Sequence, residues 1–367
     1  MLQKLQDFYN SLELCRGGGS KVWDKVDKEY IDFSCGGAFC AAFGHDNPHI
    51  HTRLSKPIHP GVSHSYRFQN SARNRYLARL CDLTGYEHAV MFSTGTEATE
   101  AAWRVMRKYR RKDGILGMDG AFHGKTLGAQ IMAGKSNEDG TLDYRYGEPS
   151  RACGLIMEPY RAVDACFRSD EEIARVNHMV RDYDLLLTLD EIQGGFFRTG
   201  KLFGYQHYVA TDGAQLLKPD FVCIGKAAFN GFPASVLLGP DWMDDPRFEL
   251  SSTHGGHPWA CAAGMGVLDT IGDPAEFENG LNNKAQVFLS ALETMGVEYN
   301  HKGMVAVVIF KDAETAMSVA RDCMARGLLV IPTGSNTIKI APPLTISYTC
   351  LDGGLKVLAE VMNDLKT

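Results

Sequence analysis

The chain has 367 residues, 44% hydrophobic and 22% charged, enough apolar material for a sizeable core and more than one domain. The formal net charge is −6, and the one cationic cluster, "RVMRKYRRK" (104–112), falls on a predicted helix as a solvated face; nucleic-acid binding is not indicated, although the cluster leaves it open. The opening "MLQKLQDFYNSLELCRGGG" lacks the apolar core of a signal peptide, and no apolar run is long enough to span a membrane. None of the 10 cysteines forms a C-x-x-C pair, and Cys153, Cys223 and Cys261 lie in apolar patterns. Buried free thiols in a reducing cytoplasm are therefore expected, rather than disulfides or zinc.

In chain order, "EYIDFSCGG" (29–37) reads as a strand that joins a C-terminal domain. Short apolar runs then recur at 88–94, 114–120, 154–159, 185–191, 220–226 and 235–239. They are continuous rather than alternating, as strands covered on both faces are. Ala98, Ala101, Ala102, Val105, Met106 and Tyr109 trace one helix face between them, and Ile173, Val176 and Val180 trace another. Strand–helix alternation predicts a mostly parallel, doubly wound sheet. Further on, strands are expected at 304–310, 327–333 and 336–344, and helices at 313–326 and 352–366, which make a smaller α+β domain. The expected division is 1–44 as an N-terminal part of the small domain, 45–261 as the large domain, and 262–367 as the C-terminal small domain.

Ligands of open α/β sheets bind beyond the carboxyl ends of the strands. After the first large-domain run comes "STGTEATEAA", where Thr94 and Glu97 have capping-box spacing and Gly95 permits close backbone approach. Such a helix start suits a phosphate, and it equally suits an ordinary cap. Asp190 follows "LLLTL": a metal ligand, a catalytic acid or a salt-bridge partner. Lys226 ends "DFVCIGK", either as an amine primed by desolvation for Schiff-base chemistry or as an ion-pair partner, even of Asp190 itself. Together, a phosphate cradle, a strand-end acid and a strand-end lysine meet the needs of pyridoxal phosphate.

From about Arg16 to about Leu365 the sequence resembles the class III aminotransferases, pyridoxal-phosphate enzymes of fold type I. The resemblance rests on "YIDFSCGGAFCAAFGHDNP", "MFSTGTEATEAA", "GAFHGKTLGA", "MEP", "LDEIQGGFFRTGKLFGYQHY", "KPDFVCIGKAAFNGFPASVLLG", "STHGGHPWACAAG" and "IKIAPPLTI", in the family's order. It implies an α/β fold of type I and an enzyme that moves an amino group between an amine or amino acid and a carbonyl acceptor. It implies pyridoxal 5'-phosphate bonded to Lys226, with Asp190 on the pyridinium nitrogen and Gln193 on the ring hydroxyl. Phe122 and Ile192 would flank the ring, and Gly95 and Thr96 would bind the phosphate. Thr253 would reach the phosphate of a neighbouring subunit, so a homodimer with shared active sites is implied. His123 would order its loop, Glu158 would be structural, and Arg198 and Gly200 would shape a turn. Phe39, Lys125 and Lys339 are substrate candidates.

The sequence departs from the family on the substrate side. Lys125 and Lys339 stand where arginines usually hold a carboxylate, and a lysine offers a point charge in place of a planar fork. Val163 replaces a second glutamate, Asp164 lies out of register, and His257 replaces an asparagine. The stretch between His123 and Glu158 is short. These changes leave open an aminomutase or decarboxylase on the same fold, and a bulky or carrier-linked amine. A non-catalytic binder would not need Lys226, Asp190, Gln193 and Phe122 together, and no G-x-G-x-x-G follows the first strand to suggest a nicotinamide enzyme.

Overall fold

The computed structural model describes residues 2–55, 62–118, 120–133 and 148–365. At its centre is a six-stranded sheet in the order His88–Phe92, Ser235–Gly239, Phe221–Ile224, Leu186–Asp190, Ala152–Met157, Gly114–Leu116. Every residue of the four middle strands is buried. Their runs are continuous in sequence because both faces are covered, yet alternate residues enter different cores. Val222 and Ile224 join Tyr76, Leu80, Cys261 and Val267 on one face. Phe221 and Cys223 join Ala98, Ala102, Val105 and Met106 on the other. Each buried aliphatic side chain in these layers contributes about 1.5–3 kcal/mol of transfer free energy.

The six expected runs of the large sheet all form strands, but not all are parallel. Ser235–Gly239 runs antiparallel to both of its neighbours. The other neighbouring pairs are parallel. The helix Gly95–Arg110 forms as expected, with a capping box at Thr94 and Glu97. Tyr109 leaves the predicted buried face: it is 41% exposed and stacks on Trp242 at 4.1 Å. The cationic cluster is a charged surface, with Arg107 on Asp113, Lys108 on Glu249 and Arg110 on Asp184.

Two four-stranded sheets accompany the large sheet. One has the order Leu14–Gly18, Lys21–Asp24, Glu29–Asp32, Leu328–Leu329, and its last two strands pair in parallel. The other has the order Glu298–Lys302, Val305–Ile309, Thr337–Ile340, Ile331–Pro332. The single strand expected at 327–333 is thus two short strands in different sheets, with buried Val330 at the crossing. All ten cysteines are free, and Cys35, Cys153, Cys223, Cys261 and Cys323 are buried. Among the described residues, no helix is long and apolar enough to cross a membrane.

Candidate active site

The carboxyl ends of the Leu186–Asp190, Phe221–Ile224, Ala152–Met157 and His88–Phe92 strands bring together Asp190, Lys226, Glu158 and the start of helix Gly95–Arg110. With Thr96, Phe122, His123, Gly124, Ala162, Ile192 and Gln193 they line a cavity of about 190 Å3. Gly95 packs closely against Ile192: a Cβ there would lie 2.8 Å from Ile192 Cδ1, so that side chain would have to shift. Thr94 Oγ1 caps Glu97 N, and the Glu97 carboxylate accepts from Ser93 N and Thr94 N. The Gly95 and Thr96 N–H groups have no acceptor among the described residues. The Thr96 hydroxyl is engaged by Thr126 at 2.8 Å.

Asp190 is buried and fully engaged. Its Oδ1 accepts from Ile192 N at 3.1 Å, and His123 Nδ1 donates to its Oδ2 at 2.8 Å. The ion pair between Asp190 and Lys226 that the sequence left open is therefore absent; Asp190 pairs with a histidine. Sequence reasoning gave His123 only a loop-ordering role, and the partner it missed is sixty-seven residues away. Two buried polar atoms in the cavity walls lack protein partners among the described residues, His123 Nε2 and Gln193 Oε1. Buried polar atoms are almost always satisfied, so this pair marks a place where a polar ligand belongs.

Lys226 is half-buried at the head of a short helical turn, Lys226–Phe229, with φ of +41°. A left-handed conformation is costly for a side chain other than glycine and tends to be kept at working sites. Among the described residues its amine makes no hydrogen bond and no ion pair. Glu158 accepts from Phe122 N at 2.8 Å and Ala162 N at 3.2 Å, and so holds two cavity walls. Burial and the charge of Asp190 push its carboxyl up to about 7. Glu191, also buried, faces away and accepts from Gly204 N and Tyr205 N.

The substrate candidates separate. Lys339, half-buried on the Thr337–Ile340 strand, donates Nζ to the Ala162 carbonyl at the cavity rim. Burial and the nearby Lys226 charge lower its amine to about 8. Lys125 is exposed and does not line the cavity. Phe39, 2% exposed, packs with Tyr160, Val305 and Ala341 beneath the Arg198 guanidinium and does not line it either. Arg198 is buried, and its Nη1 donates to the Met304 and Pro342 carbonyls. Gly200 turns beside it at φ +97°. Thr253 is exposed and outside the cavity of its own chain, with its carbonyl 2.7 Å from His64 Nε2. His257 caps helix Pro258–Ile271 by accepting from Trp259 N. Val163 is 55% exposed at a hairpin tip, and Asp164 pairs with Arg161. Much of the short stretch between His123 and Glu158 lies outside the described residues.

Residues 6–142 and 143–362 match the family model described as aminotransferase class-III. An acetylornithine aminotransferase of Clostridium acetobutylicum is 29% identical over 94% of this chain and 95% of its own. A succinylornithine transaminase of Salmonella paratyphi A is 29% identical over 96% and 92%. The fold matches the ornithine aminotransferase of Toxoplasma gondii with a TM-score of 0.84 at 20% identity, over 98% of this chain and 95% of that one. It also matches an acetylornithine aminotransferase of Elizabethkingia anophelis with a TM-score of 0.81 at 24% identity, over 96% and 94%. These likenesses support transamination and lend nothing to an aminomutase or a decarboxylase. The chain belongs to the class III aminotransferases and is a fold type I, pyridoxal-phosphate-dependent transaminase.

Proposed function

We propose that the chain moves an amino group from a carboxylate-bearing amine to a carbonyl acceptor, with Lys226 as the proton carrier and Lys339 as the anion anchor. The observation that carries this reading is the Lys226 amine, without ion pair or hydrogen bond, at the floor of a cavity that Asp190 and the orphaned Gln193 Oε1 share. The residues present fit pyridoxal phosphate. The Gly95 and Thr96 N–H groups suit its phosphate, Asp190 its ring nitrogen, Gln193 its ring hydroxyl, and Phe122 and Ile192 its two faces. When bound, the cofactor supplies an aldehyde and an electron-withdrawing ring. Lys226 Nζ takes the proton from the substrate Cα and returns it on the cofactor side. His123 holds the Asp190 carboxylate in one orientation through Nδ1. Glu158 fixes the backbone that carries Phe122 and Ala162.

Lys339 has one carbonyl partner for three N–H donors, so an incoming carboxylate has donors to meet at the rim. The relatives named for acetylornithine and succinylornithine make acylated basic amino acids the first substrates to try. Exposed Thr253 is proposed to serve the phosphate of a second copy in a homodimer. The proposed domain division is 1–44, 45–261 and 262–367, which the parallel pairing of Glu29–Asp32 with Leu328–Leu329 supports. A cytoplasmic location is proposed from the ten free cysteines.

The test is borohydride reduction of the purified protein with its cofactor, followed by peptide mass spectrometry. A label on Lys226, and conversion to the amine form of the cofactor by an acylated ornithine, are expected. A label elsewhere, or none, sinks the assignment.

A further inference from the structure

Lys226 begins its turn at φ +41°, and the residue that ends the turn, Asn230, is also left-handed at φ +47°. Two such residues in five would not hold this geometry alone. Asn tolerates the left-handed region better than other residues with a Cβ, but here its side chain also does something specific. Oδ1 accepts from Phe43 N at 2.8 Å, and Nδ2 donates to the Gly44 carbonyl at 2.8 Å. One amide thus fills a donor and an acceptor of a distant backbone segment.

That segment is itself braced. Gly44 sits at φ +85°, where a Cβ would come 3.0 Å from the Gly19 carbonyl. His45 exchanges both backbone hydrogen bonds with Gly19, at 2.7 and 2.8 Å. Its ring Nε2 lies 2.8 Å from Oδ2 of Asp32, which is 0% exposed. Asp32 also accepts from Ser34 N and Gly36 N, each at 2.8 Å. Those bonds hold the strained loop in which Cys35 and Phe39 are left-handed at φ +47° and +62°. The path runs without a gap from a buried carboxylate, through His45 and the 43–44 backbone, to the end of the lysine turn.

We infer that Asn230, braced by the Asp32–His45 pair, is a positioning residue that fixes where the Lys226 amine sits in the cavity. The inference rests on the proposed role of Lys226. A small misplacement of a proton carrier is expensive in rate, so the frame acts on turnover more than on substrate binding.

Asn230→Gly tests it, because glycine accepts the left-handed backbone and removes both amide contacts. In the cofactor-loaded enzyme we expect kcat to fall by about tenfold or more, with KM within about threefold. The visible absorption band of the lysine–cofactor bond should change its pH midpoint by about half a unit or more, which reduced folding stability alone would not produce. Wild-type kcat and midpoint in Asn230→Gly overturn the inference. If Asn230→Gly does not fold, His45 decides. His45→Gln keeps a donor for Asp32 and should restore the midpoint that His45→Leu shifts; equal behaviour of the two overturns the inference. Borohydride labelling of wild type keeps the outcomes apart: no label on Lys226 removes the proposed function, whereas a label with an indifferent Asn230 removes only the frame.

Discussion

The cavity has two sides built on different principles. The side formed by the large sheet carries Asp190, Lys226, Gln193 and the Gly95 helix start, at or just beyond strand ends, with Asp190 braced by His123. The other side is Ala162 of the Tyr160–Arg161 and Cys166–Phe167 hairpin, with Lys339 of the Thr337–Ile340 strand on its carbonyl, and Val163 and the Arg161–Asp164 pair stand just outside the cavity. Of the positions that the family resemblance marks as departures, Lys339, Val163 and Asp164 belong to or adjoin the second side, whereas Lys125 and His257 lie outside the cavity. Chemistry that must align one amine and one carboxylate tolerates little drift, whereas a rim that meets a variable substrate can change its cations singly. Breaking the first side should therefore act on turnover, and breaking the second on substrate affinity.

The largest effect is expected from Lys226→Ala. Removal of a general acid–base group lowers turnover by about 10²- to 10⁴-fold, so kcat from a stopped amino-transfer assay should fall in that range. Asp190→Asn keeps the shape and the contact to Ile192 N while deleting a charge-assisted partner. A tenfold to hundredfold loss of kcat is expected, roughly the worth of one charged hydrogen bond. If KM alone rose in either variant, the division between the two sides would be wrong.

On the rim, Lys339→Met should raise KM for a carboxylate-bearing amine by about tenfold to hundredfold, with kcat little changed. The same group gives a pH signature. The Lys339 amine titrates near 8, so its charge is present below that pH and fades above it. KM for an anionic substrate should therefore climb above pH about 8 in wild type. Lys339→Arg stays charged across that range and should flatten the climb. A substrate without a carboxylate should show no such climb in either protein.

Glu158 touches both sides, because it holds Phe122 N and Ala162 N. Its folded carboxyl titrates near 7, above the ordinary glutamate value, through burial and the charge of Asp190. A group raised in this way contributes stability that is complete below its unfolded value of 4.5 and lost as pH rises through about 7. Glu158→Gln should accordingly flatten the fall of Tm over that window, as read by calorimetry. An unchanged slope would show that another acid governs it.

How far the two sides could be read in advance follows from what sets each position. Strand ends are local features: a charge that closes a buried apolar run stands out, and so Asp190 and Lys226 were legible, as was the Thr94–Glu97 cap. The antiparallel return of Ser235–Gly239 went unread, although the link at 225–234 is shorter than the dozen or more residues that a parallel crossover needs. Tyr109 kept the helical period while the helix ran past the edge of its core. Phe39 and Lys125 lie on loops, where spacing says nothing about direction. His123 with Asp190, and Asn230 with Phe43 and Gly44, are contacts between distant segments that no local pattern encodes.

Val163 gives the smallest expected effect and the sharpest check on the rim. The family resemblance leads to the expectation of a glutamate there, but the valine is 55% exposed at the hairpin tip and lines no part of the cavity. Val163→Glu adds a charge to solvent, so stability should change by no more than about 0.5 kcal/mol. The new carboxylate lies one residue beyond Ala162, whose carbonyl holds Lys339. Only if the side chain folds inward can it compete with a substrate anion for that lysine. An unchanged KM keeps Lys339 as the sole anchor of the rim. A rise of tenfold or more that disappears when the same change is made on a Lys339→Met background would mean that the hairpin bends into the site and that the valine keeps the lysine free for substrate.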